Sequence, residues 1–296
     1  MSTVLISGAS GLIGSALVPA LERGGHRVRR LVRRPAGAAE EVRWNPARRE
    51  LDSHALEDVD VVINLSGENV GHRWTSSRRQ RILSSRVDST DTIVTALATA
   101  APRPRTLINA SAIGFYGERG DDLLDEGQPV GSGFLADVCR QWEAAARAAA
   151  AHGARVVPLR TGVVLARQGG ALRRMLLPFQ LGIGGRLGSG RQWMTWIEID
   201  DLVRAIQFLM EHTEITGPVN TCAPGAVTNA EFTRSLGLEL HRPTIFPVPS
   251  LILKIVFGEM AEQTLLASQR GIPGVLAKAG FQFECPTVTQ ALARIL

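Results

Sequence analysis

The sequence predicts an α/β protein built on a doubly wound parallel sheet, with a smaller C-terminal α+β lobe. Short apolar runs alternate with segments of helical periodicity up to Leu165, and glycine- and proline-rich segments follow. Repeated β-α units require parallel strands with helices on both faces of the sheet. Residues 1–165 are therefore predicted as one domain, completed by parts of 196–225. Residues 166–296 are predicted as the second lobe, which would hold a substrate.

The elements of the first domain are predicted from two periodicities. Apolar runs predict strands at residues 3–7, 27–32, 60–66, 106–111 and 154–165. Apolar residues at a 3.6-residue period predict helices at 12–23, about 76–100 and 134–151.

In the second lobe, helix-start signals are the clearest features. DLVRAIQFLM (201–210) has a helical pattern, and Asp200 before it is predicted as the N-cap. Thr228 and Glu231 have the spacing of a capping box. Three prolines precede a further helix, predicted at about 250–270.

Composition excludes several classes of protein. The 296 residues include 45% hydrophobic residues and 30 glycines, which is typical of a globular α/β protein. Cys139, Cys222 and Cys285 are far apart and odd in number, which favours reduced thiols in the cytoplasm. The sequence has no HExxH motif and no paired Cys/His spacing, so no metal site is expected.

Charge and hydropathy narrow the partners further. The apolar runs are too short to span a membrane, and the N-terminus enters a strand without a basic signal region, so no membrane association is expected. The net charge is +5, and only two of the 33 basic residues are lysines. The densest basic run, residues 73–86, carries no nucleic-acid recognition motif, so no nucleic-acid partner is expected. The arginines are better explained by the binding of a small anionic ligand than by the binding of a nucleic acid.

A glycine-rich turn follows the first predicted strand. GASGLIG places Gly8, Gly11 and Gly14 between a strand and an amphipathic helix. In that position the glycines permit a tight turn and let a pyrophosphate approach the backbone N–H groups of the helix N-terminus. The alternative is that they are ordinary turn glycines. The motif predicts a Rossmann-type dinucleotide-binding domain.

The end of the second strand indicates which dinucleotide binds. An NAD site usually has Asp or Glu at this place, to hold the ribose hydroxyls. Here the sequence is LVRRP, with Arg33 and Arg34 and no acid before Glu40. Arginine binds a 2′-phosphate by charge-assisted hydrogen bonds, so NADP(H) is predicted over NAD(H). The alternative is two solvated arginines in an arginine-rich chain.

These segments resemble the extended short-chain dehydrogenase/reductase family. The resemblance rests on GASGLIG, on NLSG (64–67), on SAIGFYG (111–117) and on WIEIDDL (196–202). It is closer to an atypical epimerase-like branch, often described as nucleoside-diphosphate-sugar epimerase. That branch has a C-terminal signature similar to residues 248–273 and to GFQFECP (280–286), within a family-specific segment predicted at 245–296.

The resemblance implies which residues face the cofactor. By matching position these are Gly8, Ser10, Gly11, Leu12, Ile13, Gly14, Arg33, Arg34, Leu65 and Ser66. Arg86 falls where ordinary relatives have an asparagine, and it is predicted to reach the cofactor or the substrate. Arg79, seven residues earlier, is interpreted as a solvated residue.

Ordinary members of the family move a proton with a tyrosine and, four residues later, a lysine. Matching the following glutamate, Glu143, places Leu135 at the tyrosine position and Cys139 at the lysine position. Leucine has no titratable proton, and a cysteine is mostly neutral at pH 7. Cys139 is a candidate weak acid or ribose contact, and the alternative is simple packing.

Two further residues are candidates for catalysis. Tyr116, the one tyrosine of the chain, is a catalytic candidate, but a structural role in its Tyr-Gly turn is preferred. Ser111 resembles the serine that bonds a substrate hydroxyl or carbonyl. However, it stands five residues before Tyr116, where sugar epimerases have four.

The glycine loop at 188–196 offers two aromatic side chains. Trp193 is interpreted as a possible ligand wall, and Trp196 as part of the core.

The leading hypothesis is an NADP(H)-dependent oxidoreductase or epimerase-like enzyme. It would act on an unidentified small molecule in the cleft between the lobes. The competing hypothesis, favoured by the loss of the Tyr/Lys pair, is a non-catalytic NADP(H)-binding regulatory protein.

Overall fold

The computed structural model describes residues 1–102 and 104–296, and its central feature is a seven-stranded parallel sheet. Thirteen strands lie in the described residues, and six of them form three two-stranded sheets outside the central one, β8 with β10, β9 with β12 and β6 with β13. The strands are β1 (Thr3–Ser7), β2 (Arg27–Val32), β3 (Glu41–Arg43), β4 (Val61–Asn64), β5 (Thr106–Ala112), β6 (Leu123–Leu124), β7 (Arg155–Thr161), β8 (Val163–Ala166), β9 (Trp193–Met194), β10 (Trp196–Glu198), β11 (Val219–Thr221), β12 (Val227–Thr228) and β13 (Arg270–Gly271). The sheet order is β11-β7-β5-β4-β1-β2-β3, and the Rossmann-type fold class is confirmed.

Helices cover both faces of this sheet. The helices of the described residues are α1 (Leu12–Arg23), α2 (Ser76–Thr99), α3 (Phe134–Arg147), α4 (Gly170–Gln180), α5 (Ile199–Glu211), α6 (Asn229–Glu239), α7 (Ser250–Phe257), α8 (Gly274–Lys278) and α9 (Val288–Ile295). Of these, α1 and α5 pack on one face of the sheet and α2 and α3 on the other, whereas α4, α6 and α9 share a separate core. Shorter 3-10 turns lie at Pro46–Arg48, Ser53–Leu56, Ile113–Tyr116 and Ala148–His152, and a π-helical turn lies at Ala261–Leu265. In the described part of the chain, no helix has the length and apolar character needed to cross a bilayer.

The order of the strands reverses at β1, which pairs with β2 on one side and with β4 on the other. Connections therefore leave this point in opposite directions, and a crevice opens beyond the carboxyl ends of the two strands. Open α/β sheets bind their ligands at such a switch point.

The buried side chains of β1 show how the sheet is packed. Val4 and Ile6 belong to one apolar cluster, with Leu202 and Ile206 of α5, whereas Leu5 belongs to the cluster on the opposite face. Both faces are thus buried, which explains why the strands read as continuous apolar runs.

The strand predicted at 154–165 is in fact two strands. β7 ends at Thr161, and β8 leaves the main sheet to pair in parallel with β10. Gly162 permits the change of direction, because a Cβ there would lie 2.9 Å from the Thr195 carbonyl oxygen. The short edge strand β3 was not predicted.

The helix predicted at about 250–270 is also shorter than expected. α7 ends at Phe257, and Gly258 follows with a φ of +61°. This left-handed conformation favours glycine and ends the helix.

The second lobe has its own core, formed around Trp196, Phe232 and Leu292. Trp196 is completely buried, as its position before a strand predicted. The capping box of Thr228 and Glu231 is present at the start of α6. Residues 199–221 return to the first domain, where α5 packs in the core and β11 extends the sheet beside β7.

The N-cap of α5 is Glu198, and the prediction of Asp200 was wrong. The Glu198 carboxylate accepts hydrogen bonds from the backbone N–H groups of Asp200, at 2.7 Å, and of Asp201, at 3.0 Å. The longer glutamate side chain reaches these groups from the last residue of β10. Asp200 instead lies near Arg294, 58% exposed at its side chain.

We expect Glu198→Ala to lower the free energy of unfolding by about 1–2 kcal/mol, because two buried N–H groups lose their acceptor. The matched control is Asp200→Ala, which removes an exposed acid and should change it by less than ~0.5 kcal/mol. Urea denaturation of both variants measures this difference. An equal loss in the two variants would show that Glu198 is not the cap.

Candidate functional site

Two connected cavities lie at the switch point of the sheet. The outer cavity, of about 1030 Å³, lies between the glycine turn and the end of β2. The inner cavity, of about 360 Å³, lies between β5, α3 and the end of β7. Leu65, Ser66 and Gly67 line both cavities, so that together they form one continuous cleft.

Most of the predicted cofactor residues lie on this cleft. The outer cavity is lined by Gly8, Ser10, Gly11, Arg33, Arg34, Leu65 and Ser66. The inner cavity is lined by Ile13, Leu65, Ser66, Arg86, Ser111 and Cys139. Leu12 and Gly14 line neither cavity and support the turn from behind, where Leu12 contacts the positions of Gly169 and Gly170.

The glycine turn has a shape that side chains would prevent. Gly8 has a φ of +72°, and a Cβ at that position would lie 2.8 Å from the Leu65 carbonyl oxygen. A Cβ on Gly14 would overlap the Gly8 carbonyl oxygen. At the start of α1 the N-cap is Gly11, which offers no capping side chain. The first N–H groups of α1 therefore remain available to an anion, and this turn fits a pyrophosphate.

The two arginines after β2 have different surroundings. Arg34 forms two hydrogen bonds to the Glu41 carboxylate, at 2.6 and 2.8 Å. The hydrogen bond from Arg34 lowers the pKa of Glu41 to about 2, so this acid is charged at neutral pH. Arg33 is exposed and has no hydrogen-bond or ion-pair partner within residues 1–102 and 104–296. Arg33 is therefore the arginine with a free charge for a phosphate.

A buried polar network holds the floor of the cleft. The Asn64 amide donates to Asn109, at 2.7 Å, and to Thr90, at 2.9 Å. Ser7 donates to Asn64 at 2.5 Å, and the Trp142 indole donates to Thr90 at 3.0 Å. These bonds tie the ends of β1, β4 and β5 to α2 and α3, so the two cavities have a rigid base.

Arg86 places a positive charge in the wall of the inner cavity. Its guanidinium donates to the Ile82 carbonyl at 2.9 Å and lies 5.1 Å from the Trp142 ring. A Cβ on Gly67 would lie 3.1 Å from Arg86 Cζ, so a glycine is needed where the loop passes it. Burial lowers the pKa of Arg86, but a guanidinium remains charged at neutral pH. Within the described residues, four of its five N–H groups have no acceptor in the protein, and they are available to a ligand.

Leu135 and Cys139 both line the inner cavity. Cys139 is 3% exposed, and burial raises the pKa of its thiol to about 11. The thiol is therefore protonated at neutral pH and is a poor acid. Leu135 contributes an apolar side chain beside it, so the wall at the Tyr/Lys positions carries no group that titrates near pH 7.

Ser111 lies in the same wall, but its hydroxyl proton is already used. The Ser111 hydroxyl donates to Glu143 at 2.8 Å, within the interior. Glu143 is completely buried and forms a two-point ion pair with Arg160, at 2.9 and 3.0 Å. Burial disfavours the Arg160 charge, but Glu143 outweighs it, and the pKa of Arg160 lies above its ordinary value.

Tyr116 lines neither cavity. Its hydroxyl is buried, lies 2.8 Å from the Asn220 side-chain oxygen and 2.9 Å from the Asp125 carbonyl oxygen as acceptors, and accepts from Arg160 at 3.0 Å. Burial raises the pKa of Tyr116 to about 12. This placement is that of a structural residue and corrects its inclusion among the catalytic candidates.

Two residues of the second lobe, Gln263 and Glu259, contact the helices α3 and α2 that border the cleft. Gln263 accepts a hydrogen bond from the Leu135 N–H at 2.9 Å, at the start of α3. Arg79 forms an ion pair with Glu259 at 2.5 Å, and its guanidinium lies 4.4 Å from the Phe134 ring. Arg79 thus joins the two lobes, and its interpretation as a solvated residue was incomplete.

Trp193 was interpreted as a possible ligand wall, but it lines neither cavity. Its indole donates to Asp121 at 2.7 Å, and Arg270 lies 4.0 Å above its ring.

Glu198, Asp201 and Cys285 have ligand atoms within 4.8 Å of one another, away from the cleft. Both carboxylates accept backbone hydrogen bonds: Glu198 at the start of α5, and Asp201 from Glu284 and Cys285. These bonds account for Glu198 as the N-cap of α5 and for Asp201 as an acceptor that holds the segment before α9.

Sequence reasoning missed two residues that line the cleft, Glu41 and Trp142, and one that supports its wall from behind, Arg160. Glu41 was overlooked because the edge strand that carries it is only three residues long. Arg160 was read only as part of a strand, and Trp142 only as part of a helix. The sequence did contain a signal for Arg160, because it is a charged residue within an otherwise apolar strand. An arginine in such a place needs a buried partner of opposite charge.

Comparisons with known proteins agree with this architecture. Residues 4–221 match the NAD dependent epimerase/dehydratase family, and residues 248–295 match a domain of unknown function, DUF1731. An epimerase family protein of Mycobacterium bovis is 49% identical over 292 residues, which cover 98% of this chain and 96% of that protein.

Two solved structures extend the comparison. The human epimerase family protein SDR39U1, crystallised with NADPH, has a TM-score of 0.90 and 34% identity, and the match covers 99% of this chain and 98% of that one. A nucleoside-diphosphate sugar epimerase from Corynebacterium glutamicum has a TM-score of 0.83 and 35% identity, over 100% of this chain and 58% of that one.

We expect Tyr116→Phe to lower the free energy of unfolding by about 1–3 kcal/mol, because Arg160 and Asn220 lose a buried partner. The affinity for NADPH should not change, since Tyr116 lies outside both cavities. Urea denaturation and calorimetric titration measure the two quantities. Unchanged stability with impaired NADPH binding would place this hydroxyl in the site after all.

Proposed function

The chain belongs to the NAD dependent epimerase/dehydratase family, and from that membership we propose that it is an NADP(H)-dependent oxidoreductase acting on a small carbonyl compound. The observation that carries the proposal is the continuity of the two cavities at Leu65–Gly67, with the charged Arg86 in the inner one. In this cleft, Arg33 would hold the adenosine end of a dinucleotide, and Arg86 would lie at its nicotinamide end. The similarity to SDR39U1, which was crystallised with NADPH, supports the choice of cofactor.

The residues present fit this cofactor. The glycine turn and the open N-terminus of α1 suit the pyrophosphate. The unpaired Arg33 suits a 2′-phosphate, and Arg34 neutralises the Glu41 carboxylate that would otherwise repel it.

In the proposed reaction, the positive charge of Arg86 takes the place of the general acid that ordinary relatives have. When bound, NADPH would supply the hydride for the carbonyl carbon, and water would supply the proton that completes the alcohol. Arg86 stabilises the negative charge that develops on that oxygen. Without general acid catalysis, typically worth ~10²–10⁴-fold, turnover is expected to be slow.

A second candidate function is a non-catalytic NADP(H)-binding regulatory protein. It is favoured by Leu135 and by the protonated, buried Cys139, which leave the wall without a neutral-pH acid. NADPH oxidation with a reactive carbonyl compound separates the two functions. A regulator would show none, and would bind a protein partner according to the redox state of its cofactor.

We expect the wild-type protein to bind NADPH at least about tenfold more tightly than NADH, a difference of about 1.4 kcal/mol. Arg33→Ala should bring the two affinities close together, because the 2′-phosphate loses its free cation. Arg43→Ala, which removes an exposed arginine outside the cleft, is the matched control. Calorimetry with both nucleotides gives the ratio, and equal wild-type affinities would contradict the choice of NADP(H).

We expect Arg86→Met to reduce kcat/KM for NADPH-dependent reduction of 9,10-phenanthrenequinone by about 10²-fold, since one preorganised positive charge is lost. Thermal stability should not fall, because a sparsely bonded buried charge is replaced by an apolar chain of similar length.

The control for this experiment is Arg140→Met, which removes an exposed arginine from α3 and should leave the rate unchanged. The rate is followed by the loss of NADPH absorbance. Equal rates in the wild type and Arg86→Met would remove Arg86 from the chemistry, and no wild-type turnover on any carbonyl compound would favour the regulatory function.

A further inference from the structure

The positive charge of Arg86 in the inner cavity has no acid to balance it. Glu68 acts on Arg86 only from a distance and forms an ion pair with Arg78 at 3.7 Å. Glu143, on the helix that lines the cavity, is completely buried and is paired with Arg160. Within residues 1–102 and 104–296, no carboxylate forms a hydrogen bond or ion pair with Arg86. A desolvated charge without a partner is costly, so a ligand that brings a negative charge to this guanidinium gains binding energy.

The phosphate-binding features of the cleft lie elsewhere. The glycine turn, which suits the pyrophosphate, and Arg33, which suits the 2′-phosphate, both line the outer cavity. Of the two cavities, Arg86 lines only the inner one, together with Leu135 and Cys139 at the Tyr/Lys positions of the family. The negative charge that Arg86 lacks is therefore expected from the substrate.

The rest of the inner cavity suits a compact aliphatic group. Valine, leucine and isoleucine side chains are the most numerous in its wall. The three hydroxyls of the wall, those of Ser66, Ser111 and Thr161, donate their protons to other oxygens of the protein. The volume of about 360 Å³ is near the lower end of the range of about 300–1,000 Å³ that is usual for small-molecule sites. A sugar ring here would leave most of its hydroxyls without partners, and such losses cost binding energy.

From these observations we propose that the substrate is a 2-oxo acid with a compact aliphatic side chain. The free N–H groups of Arg86 form a planar fork, which donates to a carboxylate oxygen and to the adjacent keto oxygen. The aliphatic side chain of the acid lies against the leucines and valines of the wall. This proposal rests on the function proposed above and names its class of substrate.

The reaction balances without a further reagent. The C2 carbon of the acid gains the hydride of NADPH, and the keto oxygen gains a proton from water. The products are the 2-hydroxy acid, NADP+ and hydroxide. Arg86 holds the same two oxygens before and after the transfer, so it stabilises the negative charge that develops on one of them.

The test uses the full-length protein saturated with NADP+, so that binding is measured without reduction. Calorimetry should show that 4-methyl-2-oxopentanoate binds at least about tenfold more tightly than 4-methyl-2-pentanone, which has a methyl group in place of the carboxylate. Oxaloacetate should bind more weakly than 4-methyl-2-oxopentanoate, because its second carboxylate would meet the aliphatic wall. UDP-glucose should also bind more weakly.

Variants of Arg86 locate the carboxylate. Arg86→Met should remove the preference for the acid over the ketone, while the affinity for NADP+ stays unchanged. Arg86→Lys should keep part of the preference, because the charge remains but the planar fork is lost. Arg140→Met, which removes an exposed arginine from the other end of the first turns of α3, is the matched control and should keep all of it.

The possible outcomes separate this inference from the proposed function. Equal affinities for the acid and the ketone, or tighter binding of UDP-glucose, overturn the inference even if NADPH reduces neutral carbonyl compounds. A loss of NADP+ affinity in Arg86→Met, with the preference for the acid intact, also overturns it, because the partner of Arg86 is then the cofactor. Binding of the acid that depends on Arg86, without any oxidation of NADPH, supports the carboxylate site and contradicts the oxidoreductase function.

Discussion

Glu143 and Arg160 form an ion pair in the interior on which the shape of the inner cavity depends. The pair joins α3 to β7, and Ser111 of β5 donates to the same carboxylate. Arg160 also bonds Tyr116, whose hydroxyl donates to Asn220 in β11. Buried ion pairs contribute little net stability, but the loss of one partner typically costs ~3–5 kcal/mol. The network therefore contributes little net stability, but it fixes the positions of α3, β5, β7 and β11 relative to one another.

The second lobe is part of that arrangement. The Asn220 amide donates to the carbonyl of Leu124, in β6, and to that of Ile272, the residue after β13. Gln263 accepts from the first turn of α3, next to Leu135. Residues of both lobes thus form hydrogen bonds to α3, the helix that lines the inner cavity. A helix that carries the Tyr/Lys positions of the family is fixed in place although neither residue is present.

The arginines at the two ends of the cleft differ in the groups that surround them. At the outer end, Glu41 is paired with Arg34, so a nearby acid does not prevent Arg33 from meeting an anion. At the inner end, Arg86 is flanked by an aromatic ring and a protonated thiol, and among the described residues no carboxylate forms a hydrogen bond or ion pair with it, although the charge of Glu68 raises its pKa from a distance. A positive charge with free donors in an apolar wall suits an oxygen that becomes negative. This combination is the basis of the proposed chemistry, which relies on electrostatics and takes its proton from water.

The sequence by itself determined the doubly wound fold, because strand and helix periods are local properties of the chain. It also determined the glycine turn, since the conformations of Gly8 and Gly14 are set by the absence of a side chain. It favoured a structural role for Tyr116 without showing its partners, and it did not reveal that Gly162 divides the last predicted strand or that Glu198 caps α5. The pairing of Arg34 with Glu41, of Arg160 with Glu143, and of Arg79 with Glu259 was likewise decided by the tertiary structure. A single sequence shows which residues can carry charge, but it does not show which charges are paired. In these three pairs the partner lies 7, 17 and 180 positions away along the chain. They become neighbours only when the sheet and the second lobe are assembled.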